Sequence, residues 1–125
     1  MPNWCMTEYV IRNSNEDVLT ELAEGFSQAR KVKDVKSDFG EEWLGNVVEY
    51  LKQNGVEIQT DNTKGMVECT PEIDFDEETN MNELHIFSET AWEPIPVPVL
   101  KMIDKFAPKS ETILYLWVGV FDLGN

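Results

Sequence analysis

The sequence predicts an α+β domain with helices on one face of a four-stranded antiparallel sheet, and three observations carry that prediction. Residues 84–92 read as a strand that ends at Trp92, Glu93 and Pro94 turn the corner, and Pro96 and Pro98 start a helix over 97–107. Proline presets φ near the helical value and lacks the N–H that a first helical turn leaves idle, so here it marks a start. A second strand at 112–121 follows at once. Residues 4–12 and the run after Ser14 give the same strand-then-helix order at the other end of the chain. Two such units interleaved as βαββαβ make a ferredoxin-like sandwich: two main helices on one sheet face, with one further helix inserted at about 41–53.

Each element has its own signal. Tyr9, Val10 and Ile11 give residues 4–12 β-propensity, and the segment alternates. Ser14 is the expected N-cap of the first helix, with Asp17 near its positive end. Val18, Leu19, Leu22, Ala23, Phe26 and Ala29 recur at helical spacing. Arg30, Lys31, Lys33 and Lys36 mark a basic loop. Trp43, Leu44, Val47, Val48 and Leu51 form one face of the inserted helix, which Asn54-Gly55 closes. Residues 56–60 are a candidate short strand. In 66–75, Val67, Cys69, Pro71, Ile73 and Phe75 alternate with polar residues, and Pro71 marks an edge or bulged strand. Residues 76–82 read as a polar loop.

Three blocks extend the reading: Met1-Pro2-Asn3-Trp4-Cys5, then 39–47 (Phe-Gly-Glu-Glu-Trp-Leu-Gly-Asn-Val), then Glu89-Thr90-Ala91-Trp92. Together they resemble small proteins of phages, plasmids and conjugative elements related to the YubB ferredoxin-like family. The resemblance implies a ferredoxin-like fold and a mobile-element origin, and it brings no catalytic residues. Residues 118–125 depart from the pattern. They carry neither the Trp-Gly-Thr-Lys-Trp-like segment nor the Glu-Glu-Pro-Gly turn of relatives.

At 125 residues the chain fits a single domain, 1–125. It contains no apolar run of bilayer length, and residues 1–4 lack the charged and apolar regions of a signal peptide. Cys5 and Cys69 stand apart in sequence and read as two reduced thiols, which sets the cytoplasm as the expected compartment. Net charge is −14, and residues 65–100 hold nine acids and no Lys or Arg. Such a surface repels phosphate backbones, so direct nucleic-acid binding is disfavoured, while a basic protein partner is permitted. The acids Glu72, Asp74, Asp76, Glu77 and Glu78 are the candidate contact.

Candidate chemistry is sparse. His85 and Glu89 are expected on the open sheet face, where a His–carboxylate pair performs acid–base work near neutral pH. They are the weak catalytic candidates, and the competing reading is a hydrogen-bonded surface histidine. In the last strand the aliphatic residues suit the helix side, leaving Tyr115, Trp117 and Phe121 on the open face with Phe87. Open-sheet aromatics stack bases in RNA-recognition domains, but the acids of this face oppose that ligand. The aromatics are therefore expected under the inserted helix, chiefly Trp43 and Val47, or under a second copy of the chain in a homodimer. Asp74, Asp76, Glu78 and Asn80 have calcium-loop spacing, but Thr79 stands at the position that needs Gly and His85 at the one that needs Glu. No residue set marks a cofactor or metal. The function expected is that of a small acidic binding or regulatory protein, with an enzyme using His85 and a nucleic-acid charge mimic as alternatives.

Overall fold

Alternation, helical stripes and proline corners assemble as the composition of each segment dictates. The computed structural model describes residues 4–32, 43–59, 63–91 and 93–119. The order is β1 (Trp4–Asn13), α1 (Glu16–Ala29), α2 (Leu44–Gln53), β2 (Gly65–Asp76), β3 (Met81–Ala91), α3 (Val97–Phe106) and β4 (Glu111–Gly119). The strands form one antiparallel sheet in the order β2-β3-β1-β4. This is the ferredoxin-like arrangement, with β1 and β3 central and β2 and β4 at the edges.

Strand period two sorts the side chains. Cys5, Thr7, Tyr9 and Ile11 of β1 stand opposite Thr90, Ser88, Ile86 and Leu84 of β3, and all eight are buried. They face the helices. Tyr9, Ile11, Leu84, Ile86 and Val67 share one core with Leu19, Leu22, Phe26, Leu44, Leu51 and Met102. The polar members are satisfied inside it: Tyr9 Oη and Ser88 Oγ lie 2.8 Å apart, and Thr7 donates to the carbonyl of Pro94.

The helix ends follow capping chemistry. Asn15, rather than the expected Ser14, caps α1, its side chain accepting from the Asp17 N–H at 3.0 Å. Asn13 in turn accepts from the Asn15 N–H, which sets the cap one residue further on. At the end of α2, Gly55 takes φ +79, its N–H reaches Lys52 O, and the Val56 N–H reaches Leu51 O. That paired closure satisfies the last carbonyls and suits a residue without Cβ. Pro96 caps α3 and Pro98 lies in its first turn.

Beyond the α1 cap, the sequence expectations are overturned at three further places in the fold. Residues 56–59 run as a connector outside the sheet, with Val56 and Ile58 packed against the core. Between β2 and β3 the turn spans only 77–80, because the strands continue pairing to Asp76↔Met81. Most consequentially, α2 lies on the same side as α1 and α3. Leu44, Val47 and Leu51 enter the common core, and the rings of Tyr50 and Phe106 stack at 6.1 Å between α2 and α3. The inserted helix therefore completes the helix layer and leaves the opposite sheet face uncovered by it. Within the described residues, no helix is long and apolar enough to cross a membrane.

Candidate functional site

The open face is a grid whose rows are fixed by register. One row holds Asp74, Glu83, Arg12 and Glu111 across β2, β3, β1 and β4. In the next are His85, Val10 and Ile113, then Glu68, Phe87, Glu8 and Tyr115, then Met66, Glu89, Met6 and Trp117. Tyr115, Trp117 and Phe87 thus share the face, as the alternation predicts, and Trp117 and Tyr115 are 52% and 49% exposed. Phe121 lies outside the described residues.

Ionic groups concentrate at one end. Arg12 Nε donates to Glu83 Oε2 at 2.6 Å, and its guanidinium lies 4.0 Å from Asp76 and 3.9 Å from Glu111. The hydrogen bond to Glu83 raises the Arg12 pKa further above its ordinary value. His85 adjoins this cluster, with Nδ1 3.0 Å from Glu8 Oε2. Its Nε2 lies 3.7 Å from Asp74 Oδ2 and 4.0 Å from Glu83 Oε1.

The two catalytic candidates share a face but not a site. Four residues along an extended strand separate His85 from Glu89 by about 13 Å. The carboxylates that reach His85 are Glu8, Asp74 and Glu83. Sequence spacing missed all three as partners, since Glu8 and Asp74 come from neighbouring strands. Both ring nitrogens face carboxylates, so the geometry is that of a clamp across three strands. No trio of His, Cys, Asp or Glu among the described residues is arranged to hold a metal ion.

The acidic run does not form one surface. Asp74 and Asp76 are drawn to His85 and Arg12, while Glu77 and Glu78 occupy the exposed turn. Glu72 sits in a bulge, where pairing jumps from Cys69↔Ile86 to Ile73↔Leu84. Thr70 Oγ1 donates to the His85 carbonyl across that gap at 3.1 Å. Pro71 has no N–H to give the ladder, and the bulge accommodates it on an edge strand.

Among the concavities of the described residues, two bear on the site. One, of about 300 Å³, lies between α1, α2 and β2, with Val67 and Cys69 among its walls and Glu24, Ser27 and Arg30 at its helix side. Burial pushes the Cys69 thiol up to about 12, which withholds the thiolate that nucleophilic chemistry requires. Neither Cys5 nor Cys69 is in a disulfide among the described residues, and burial raises the Cys5 pKa as well.

The second concavity, about 250 Å³, is a shallow groove on the open face, lined by Met6, Met66, Glu68, Phe87, Glu89 and Trp117. It is the most apolar part of that face and lies beyond the Arg12–His85 cluster. Compared with known proteins, the chain matches no family model, no curated protein and no solved structure.

Proposed function

We propose that this chain is a small acidic binding or regulatory protein of a mobile genetic element, acting through protein–protein contacts on its open sheet face. The observation that carries the reading is the uncovered patch of Met6, Phe87, Tyr115 and Trp117, each 40% exposed or more, while all three helices pack on the other side. Contiguous aromatic surface of this kind marks contact sites, and aromatic and Met side chains are enriched in interface cores. The mobile-element origin rests on the sequence resemblance to YubB-like proteins, and the cytoplasm remains the proposed compartment.

Acid–base catalysis by His85 is the competing reading, and the 3.0 Å contact with Glu8 favours it. Against it, the carboxylates around both ring nitrogens leave a substrate little access to them. A charge mimic of nucleic acid needs rows of unpaired acids, and Asp74, Asp76, Glu83 and Glu111 are paired.

Site-specific photocrosslinking in extract of the source cell tests the proposal. A crosslinker replacing Trp117 should trap a discrete protein, and one replacing Leu100, exposed on α3, should not. Equal trapping from both positions, or none from position 117, defeats the open-face reading.

A further inference from the structure

Resting on the open-face reading, we infer that the occupant of the groove is an extended basic segment of another protein. Its alternate Arg or Lys side chains pair with Glu68 and Glu89, and the methylene stems of those same side chains cover Phe87, Met66 and Met6.

Charge divides the open face in two. At one end the side chains of Arg12 and His85 are ringed by carboxylates at 4.0 Å or less. At the groove end, Glu68 and Glu89 are exposed and have no cationic partner within the described residues. Register sets them on a diagonal: Glu68 stands opposite Phe87, and Glu89 stands opposite Met66 on one side and Met6 on the other. Carboxylates and apolar groups therefore alternate like the squares of a chequerboard.

This pattern selects the occupant. Anything that covers Phe87 and Met66 also strips water from Glu68 and Glu89. Removing water from an ionised carboxylate is costly unless a cation replaces it. A neutral apolar segment leaves that cost unmet. A nucleic acid adds phosphates to carboxylates. A second copy of the chain sets Glu68 and Glu89 against their own counterparts, with −14 on each side. Only a cationic occupant remains.

Spacing and chemistry then agree on its form. Diagonal neighbours on adjacent strands lie about 7–8 Å apart. Alternate side chains of an extended chain repeat every 6.6–6.8 Å or about that, so residues i and i+2 can each meet one carboxylate. Trp117 lines the groove, and an aromatic ring attracts a guanidinium.

Fluorescence anisotropy with a short labelled peptide of alternating Arg and Leu, beside its Gln-for-Arg counterpart, tests the inference on the full chain. The Arg peptide should bind and weaken at least about tenfold between roughly 50 and 300 mM NaCl. The double variant E68Q/E89Q and the variant W117A should each lose about tenfold or more while keeping the parent's circular dichroism spectrum, because none of the three side chains is part of the core. D104N, an exposed acid on α3, should bind as the parent does. Equal binding of the Gln peptide, an unaffected E68Q/E89Q variant, tighter binding of single-stranded RNA, or no binding of the Arg peptide overturns the inference. Dimerisation of the parent chain that W117A abolishes overturns it in favour of a second copy. If crosslinking from position 117 survives such a failure, the basic-segment inference falls alone; if it fails too, the open-face reading falls with it.

Discussion

Single side chains here act mainly by being shut away from water. Tyr9 is pushed up to about 12 by burial, as is the Cys69 thiol, from ordinary values of 10.0 and 9.0. Folding therefore holds both protons more firmly than the unfolded chain does. The stability that follows is fully present below about pH 9 and drains away as pH rises toward 12. Urea titrations at about pH 8 and pH 10.5 should show the folded state weakening at the higher pH, and the pair Y9F and C69A should flatten that loss. A profile that rises with pH would show that these groups reach solvent. Size matters as much as charge. Ile103 is buried against the common core, so Ile103→Ala should cost about 2–5 kcal/mol through lost transfer and the cavity left behind. A loss under about half a kcal/mol in urea would contradict the packing of α3. Leu116 shows the limit of reading burial from pattern alone. It lies on the helix-facing side opposite Thr7, as its alternation predicts, but it is 44% exposed, because β4 is an edge strand beyond the cover of the helices.

The elements show which kinds of information a one-dimensional pattern carries. Strand alternation was legible because period two assigns a face without reference to any neighbour, and it survived even at Pro71. Pairing there advances four positions on β2 against two on β3, so two extra residues enter and parity is conserved. The direction in which α2 packs was not legible. Its stripe of Leu44, Val47 and Leu51 declares that one face is buried, but not which of two sheet faces receives it. Backbone pairing of Trp43 with Met66 fixes that choice, by hooking the start of α2 onto the free edge of β2. Two carboxylate partners of His85, Glu8 and Asp74, were hidden for a related reason: they depend on register between strands, and Glu8 comes from one 77 residues away. Gly65 tests the sheet at its tightest point. It takes φ +156, and a Cβ there would come within 2.4 Å of the Glu89 carbonyl oxygen. Gly65→Ala should destabilise by about 1–3 kcal/mol, read as a lower urea midpoint at unchanged slope. A neutral substitution would mean that β2 and β3 can part there without loss.

At the scale of the whole molecule, 24 acids against 10 bases make self-repulsion a standing term in stability. Sodium chloride from about 10 to 300 mM screens that repulsion, so the melting temperature should rise across the range. A fall would mean that the Arg12 ion pairs outweigh the repulsion among the remaining carboxylates. The strand order has a consequence of another kind, in time. β1 is made first, yet it lies between β3 and β4, the two strands made last. Neither hydrogen-bonding neighbour of β1 exists when it leaves the ribosome. At about 5–20 residues per second, roughly five to twenty seconds pass between the end of β1 and the end of β4. Until β3 follows, Tyr9, Val10 and Ile11 have no partner strand on either side, and the β4 edge stays open longer still. Of the four strands, β1 is therefore the one left longest without a partner, and a chaperone that holds emerging β-strands would find its substrate in Trp4–Asn13.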